Sequence, residues 1–301
     1  MSKILITGGA GFIGSAVIKH LQSAGHELFV IDNLSFGNRE FISIEDSHFM
    51  LADILDKEKV NAFVQSVKPE IIIHLAAIHF IPYCNEHPYT SSDINIRGTI
   101  NVLDAAAANK VKKVFFASTA AVYPIYDEAV GELHATGPLD IYGLSKLTGE
   151  HLCNEFHLKT GIPTVVCRFF NAFGPNETNP HLIPEIQKQI LGGNRKIKLG
   201  NLTPKRDFIH TYDMARAVET LLEKTGEGLH TYNLGRGIEY SVTEIVDAFA
   251  KAIGEPIEIE VDPARVRKVE RMHLLADVSK LKALGWEPRI GIEEGIKTLV
   301  E

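Results

Sequence analysis

Thr7-Gly8-Gly9-Ala10-Gly11-Phe12-Ile13-Gly14 follows the short apolar run Lys3–Thr7 and opens a helical pattern. The glycines at 8, 11 and 14 read G-x-x-G-x-x-G. Glycine permits a tight turn and lets backbone amides approach a pyrophosphate at the positive end of the following helix. A plain glycine-rich turn has the same composition. Position separates the two, because this is the first strand and Asp32 closes a second strand 18 residues after Gly14. A carboxylate there accepts hydrogen bonds from a free ribose 2′-hydroxyl and repels a 2′-phosphate. Asn33, Leu34 and Ser35 supply no arginine to offset such a phosphate, and Arg39 is the nearest. The stretch predicts a dinucleotide site for NAD in preference to NADP, with Gly8, Gly11, Phe12, Ile13, Gly14, Asp32 and Asn33 against the cofactor. Asp53 and Ile54, after the third strand, stand where they can cap the adenine edge.

Outward from this turn, the chain alternates strands with helices. Strand candidates are Lys3–Thr7, Leu28–Ile31, Ile71–Leu75, Lys113–Ser118 and Thr164–Phe169, all short, largely apolar and rich in β-branched or aromatic residues. Such runs suit strands covered on both faces. Phe12–Ala24, Lys57–Val67, Tyr89–Asn109 and Tyr142–Lys159 read as helices, with Gly and Pro at their ends. The alternation predicts an α/β fold, a doubly wound parallel sheet of Rossmann type with right-handed crossovers.

From about residue 172 the texture changes, with a loop at Ala172–Asn176 and breakers at Pro180, Pro184, Gly192-Gly193 and Pro204. Helices return at Tyr212–Lys224, at Ser241-Val242-Thr243-Glu244, which is a capping box, and in the tail at Asp277–Gly285 and Gly291–Val300. The expected division is a cofactor-binding domain over 1–171, to which some later segments return, and a small α/β substrate-binding lobe over 172–301.

The 301 residues carry 38 acidic against 31 basic side chains, a net charge of −7, which argues against nucleic acid or an anionic membrane as the main partner. Cys84, Cys153 and Cys167 are odd in number and far apart, with no disulfide framework or zinc spacing. No secretory leader is visible, and no apolar run nears the roughly 20 residues that span a bilayer. A cytoplasmic protein is expected. The 13 histidines include no H-x-x-x-H or H-E-x-x-H pair, so no metal site is expected.

Tyr142 and Lys146 lie four residues apart, on one helix face. A cation beside a phenol favours phenolate and lowers its pKa from about 10. Tyr142 is therefore a candidate general base.

With these residues assembled, the chain resembles the extended short-chain dehydrogenase/reductase superfamily, in particular its NAD-dependent sugar-nucleotide 4-epimerases. The resemblance runs nearly full length and rests on the glycine turn, Asp32, Asp53, His74-Leu75-Ala76-Ala77, Asn95, Ser118-Thr119, Tyr142/Lys146, Arg168-Phe169-Phe170-Asn171, Arg206-Asp207-Phe208 and Leu284-Gly285-Trp286-Glu287-Pro288. It implies that Tyr142 is the base, that Lys146 lowers its pKa and binds the nicotinamide ribose, and that Thr119 hydrogen-bonds the reacting hydroxyl. Leu75, Ala76, Ala77 and Phe169 would line the cofactor cleft, and Asn95 would hold backbone at the site. His79 falls where related epimerases place a lysine near the cofactor; a histidine there either faces substrate or packs. Asn171, His181, Leu182 and Leu199 would contact the substrate nucleotide. Arg206 and Arg267 match the two arginines that clamp its diphosphate, although Arg267-Lys268-Val269-Glu270 only approximates R-x-x-D and Arg265 and Arg271 compete.

The implied chemistry begins with oxidation at C4: Tyr142 takes the hydroxyl proton as hydride leaves for NAD. The 4,6-dehydratases follow the threonine with an acidic pair, whereas here Ala120, Ala121 and Val122 follow Thr119. If nothing else reacts, the 4-keto sugar turns over and receives hydride on its other face, giving a C4 epimer; a uronate substrate would instead lose its carboxylate. Cys84 with His79 could protonate a ring carbon, as in 3,5-epimerising relatives, or could be an inert buried thiol. A non-catalytic regulator on this fold would typically have lost the Tyr or the Lys, and both are present. The expected substrate is a nucleotide-diphosphate sugar, a UDP-hexose first. Relatives pair as homodimers through the helix carrying Tyr142 and the helix before the fifth strand, and a homodimer is expected here.

Overall fold

Ile4, Leu5 and Ile6 are all fully buried, and alternation sends them to opposite sides of one sheet. Ile4 and Ile6 join one apolar cluster, and Leu5 joins another. The computed structural model describes residues 1–266 and 271–301. In chain order its strands are β1 (Lys3–Thr7), β2 (Glu27–Asp32), β3 (Phe49–Leu51), β4 (Ile71–His74), β5 (Lys113–Thr119), β6 (Thr164–Phe169), β7 (Asn171–Phe173), β8 (Lys196–Leu199), β9 (Lys205–His210), β10 (Leu229–Leu234), β11 (Glu239–Ser241) and β12 (Glu258–Val261). Among the described residues, seven of them form a parallel sheet ordered β10-β6-β5-β4-β1-β2-β3. The order reverses direction between β1 and β4, and at such a switch point the strand ends open into a crevice.

The helices are α1 (Phe12–Ser23), α2 (Lys57–Val67), α3 (Ile81–Glu86), α4 (Pro88–Ser92), α5 (Gly98–Ala108), α6 (Ile141–Thr160), α7 (Leu182–Leu191), α8 (Thr211–Lys224), α9 (Val242–Ile253), α10 (Ser279–Lys282) and α11 (Ile292–Val300). Helices α1 and α8 cover one face of the main sheet with Val17, Ile18, Met214 and Val218; α2, α5 and α6 cover the other with Val60, Val64, Val102 and Phe156. A separate cluster of Ile186, Ile197, Phe208, Ile245, Phe249 and Ile296 holds the smaller lobe together. That lobe contains the sheet β11-β9-β7 and the pair β12-β8.

Several expected elements need correction: Ala172 and Phe173, read as loop, belong to β7, and the helix read over Asp277–Gly285 shrinks to α10. The helix read over Tyr89–Asn109 is interrupted: α4 ends at Ser92, a π-helical turn occupies Asp93–Arg97, and α5 begins at Gly98. The wider turn aims Asn95 at the loop after β4, a use typical of π-bulges. Strand β10 (Leu-His-Thr-Tyr-Asn-Leu) is absent from the expected strands. Three of its residues are only half buried, so it lacks a continuous apolar run, yet it extends the main sheet beside β6. The capping box is present: Ser241 Oγ accepts from Glu244 N, and the Glu244 carboxylate accepts from Ser241 N at 2.7 Å.

Candidate active site

The crevice at the switch point continues into a cleft of about 1520 Å³ that runs to the smaller lobe. Single-ligand pockets occupy roughly 300–1,000 Å³, so this one has room for a dinucleotide and a second nucleotide ligand together. Its floor is the glycine turn. Gly8 has φ +73°, and a Cβ there would come within 2.7 Å of Ala76 N; a Cβ on Gly14 would strike the Gly8 carbonyl. Helix α1 starts at Gly11 without a side-chain cap and with no acid in its first turn, so its leading amides carry positive potential unopposed by a local acid. These features fit a dinucleotide pyrophosphate.

Asp32 closes the other end of this cradle. Its carboxylate accepts from Ala10 N at 2.9 Å and from Leu34 N at 2.8 Å. Burial raises its pKa, and those amides oppose the rise. Each oxygen keeps a second lone pair for a ribose hydroxyl. Asn33 donates to Asp53 at 2.8 Å, and Asp53 accepts from Leu55 N at 2.8 Å, placing Ile54 against Gly98.

Beneath the cradle, His74 is held between Thr7 Oγ1 (2.7 Å) and Thr99 Oγ1 (3.0 Å). Burial, then the Lys146 charge, pushes its pKa down to about 3, so the ring is neutral. Asn95 accepts from Ile78 N at 2.8 Å and donates to Ile78 O and Ser145 Oγ, each at 2.9 Å. It therefore holds backbone at the cleft wall.

Tyr142 and Lys146 enter from the first turns of α6, whose N-terminus is capped by Asp140 accepting from Gly143 N at 2.7 Å. The Thr119 hydroxyl, at the end of β5, accepts from Ala121 N at 3.1 Å and stands near the Tyr142 phenol, whose pKa it lowers. Burial raises the Tyr142 pKa, and Thr119 opposes the rise. Residues four apart share a face, yet the Lys146 ammonium turns to the ring of Phe116, 4.4 Å from its centroid. Burial also lowers Lys146 to about 8.

Behind these residues, Glu150, one further turn along α6, takes both prongs of Arg168 at 2.9 and 2.7 Å and the Ser118 hydroxyl at 2.5 Å. Arg168 also donates to Tyr123 Oη at 2.8 Å. The Ser118 hydroxyl is thus engaged by Glu150, although the residue lines the cleft.

On the far side the cleft is lined by Asn171, His181, Leu182, Leu199 and Arg206. Arg206 Nη1 donates to the carbonyls of Lys205 and Arg271, each at 2.8 Å. Leu75, Ala76, Ala77, His79 and Phe169 also line it, as expected. Cys84 does not: it is fully buried, its thiol lies 3.5 Å from Ile78 O, and burial raises its pKa. That is the inert reading of Cys84, and it removes the Cys/His acid pair. Arg267 lies outside the described residues. Arg265 and Arg271 both reach the cleft. Arg271 is fixed by Tyr123 O at 2.6 Å, and Arg265 is paired with Glu185 at 2.9 Å. Sequence reasoning missed Glu177 and Asn179, which surround His79, because only the folded chain brings that loop to β4.

The model of the NAD dependent epimerase/dehydratase family matches residues 4–235. The UDP-glucose 4-epimerase of Bacillus subtilis strain 168 is 32% identical, the match covering 97% of this chain and 94% of that one. The crystal structure of the Thermus thermophilus UDP-glucose 4-epimerase in complex with NAD superimposes with a TM-score of 0.90 at 30% identity, covering 99% and 97% of the two chains. A UDP-N-acetylglucosamine 4-epimerase from Methanobrevibacter ruminantium M1, in complex with UDP-N-acetylmuramic acid, gives 0.90 at 26% identity, covering 99% and 97%. Those matches take in the glycine cradle, Asp32 and the Thr119–Tyr142–Lys146 corner, and on them the chain belongs to the NAD dependent epimerase/dehydratase family.

Proposed function

We propose that this protein interconverts the C4 epimers of a nucleotide-diphosphate sugar, a UDP-hexose first. The observation that carries the reading is the convergence of Thr119, Tyr142 and Lys146 on a cleft with a dinucleotide cradle at one end and arginines at the other. Bound NAD supplies a hydride acceptor that becomes the donor in the return step.

Tyr142 takes the proton of the C4 hydroxyl and later returns one to the C4 oxygen. Thr119 hydrogen-bonds that hydroxyl and orients it toward the phenol. Lys146 leaves the Phe116 ring to lower the phenol's pKa and hold the nicotinamide ribose. Arg206 and Asn171 hold the diphosphate, Arg206 through a planar fork suited to paired phosphate oxygens. His181, Leu182 and Leu199 wall the nucleotide. No acid follows Thr119 in the turn Ala120–Val122, so the 4-keto sugar meets no group there to eliminate water.

We assign the cofactor half to residues 1–171 together with α8 and β10, and the substrate lobe to most of 172–301. Leu144 and Leu158 on α6 and Ile100 on α5 are exposed apolar side chains, which supports pairing of two copies across these helices. The three free, buried cysteines support residence in a reducing cytoplasm.

The test is a proton NMR time course with UDP-, dTDP-, GDP- and CDP-sugars and catalytic NAD⁺. Appearance of the C4 epimer's anomeric signal without NADH build-up supports the reading and names the substrate. A pentose product with CO₂ would replace it with a decarboxylase.

A further inference from the structure

His79, Glu177 and His181 come from two distant segments and converge on one side of the cleft. One ligand atom from each lies within 4.8 Å of the other two. His79 sits in the loop after β4, while Glu177 and His181 flank the turn that leads into α7. The Glu177 side chain is 6% exposed, and among the described residues its ion-pair partner is His181, at 3.5 Å. A nearly buried carboxylate calls for a compensating charge. The buried Asn179 amide lies 3.1 Å from His79 Nε2 and, with its oxygen turned to accept from Nε2–H, leaves Nδ1 to ligate, while Asn179 N donates to Glu177 at 3.1 Å.

We propose that His79, Glu177 and His181 form a three-ligand site for a divalent transition metal of the zinc class. Two imidazoles and one carboxylate suit zinc and its neighbours, whereas magnesium and calcium take oxygen ligands. Tetrahedral bonds of about 2.0–2.1 Å place ligand atoms roughly 3.4 Å apart, so the set closes by about 1.5 Å at most. All three residues line the cleft, which leaves the fourth position open to water or a bound anion. The ion neutralises Glu177 and ties the loop carrying Glu177 and His181 to the wall carrying His79. No local histidine spacing announces the site, which is why the sequence reading expects none. It shares His181 with the proposed nucleotide wall, and zinc binding is read without turnover.

The experiment is calorimetric titration of the full-length protein with ZnCl₂ and MgCl₂ in phosphate-free buffer, with visible spectra of the Co²⁺ form. One tight zinc equivalent, no magnesium binding and the absorption of low-coordinate cobalt are expected. His181→Ala and His79→Ala should each weaken zinc on the order of a hundredfold or more, and Asn179→Ala roughly 10–100-fold through loss of ring orientation. Zinc should also raise the Tm of the unmodified protein and leave that of His181→Ala unchanged. The His181 side chain is 42% exposed, so its replacement leaves the fold intact, which circular dichroism checks. Absence of tight zinc binding, or equal zinc affinity in the His181→Ala protein, would overturn the proposal.

Discussion

The ammonium of Lys146 stands over the ring of Phe116, 4.4 Å from its centroid, one helical turn along α6 from Tyr142. A cation over an aromatic face is attracted to it, more strongly when desolvated. Burial raises the phenol's pKa and keeps Tyr142 protonated. Loading with NAD⁺ should draw Lys146 across and lower the phenol's pKa. The difference in phenolate absorbance between the unmodified protein and Tyr142→Phe should titrate at lower pH with NAD⁺ than without it. Titration at the same pH in both states would remove Lys146 as the activating charge.

Tyr142→Phe keeps the packing and removes the proton carrier. Turnover should fall roughly 10²–10⁴-fold, the usual worth of a positioned acid–base group, while NAD binding stays within a few fold. Near-normal turnover would show that another group moves the proton.

Arg206 is placed to bind rather than to react. Its guanidinium is held by two backbone carbonyls and faces the cleft from β9. Loss of a charge-assisted contact of about 1.5–3 kcal/mol should raise KM for the nucleotide sugar roughly 10–100-fold in Arg206→Ala, with kcat little changed. An unchanged KM would place the diphosphate elsewhere.

Glu150 and Arg168 form a bidentate pair with side chains 10% and 8% exposed. Removing one partner strands a buried charge. Glu150→Ala should lower unfolding free energy in urea by about 3–5 kcal/mol, and replacing both residues by methionine should recover much of that. A loss under about 1 kcal/mol would mean that the pair is solvated in practice, as surface pairs are.

His74 links stability to acid. Its folded pKa is about 3 against an ordinary 6.5, because burial and Lys146 disfavour the charged ring. Between these values the unfolded chain binds a proton that the native one refuses. The stability present above pH 6.5 is therefore lost as pH falls toward 3, at up to about 1.4 kcal/mol per pH unit from this one group. His74→Gln should be less stable at neutral pH, through lost hydrogen bonds, yet show a shallower acid slope. An identical slope would mean that His74 is protonated in the native state.

Much of this architecture is legible in the residues. Lys3–Thr7, Ile71–His74 and Thr164–Phe169 are buried at nearly every position around apolar centres, as strands covered on both faces require. The glycines at 8 and 14 are required by close backbone approach and can be read as such. Strand β10 is not legible, because its half-buried first residues interrupt the apolar run. The π turn at Asp93–Arg97 is hidden for a different reason: its sequence suits an α-helix, and the widening serves Asn95's contact with Ile78. Spacing places Tyr142 and Lys146 on one face correctly but cannot tell where a flexible lysine points. The cluster around His79 depends wholly on tertiary contact.

The most direct test of the epimerase reading is to follow a C4-deuterated UDP-hexose through turnover in ordinary water with substoichiometric NAD⁺. A hydride that leaves C4 and returns to the same carbon keeps its label. Full deuterium retention at C4 in both epimers, with no accumulation of NADH, is the predicted result. Wash-out of deuterium into solvent, or a requirement for stoichiometric NAD⁺, would contradict it.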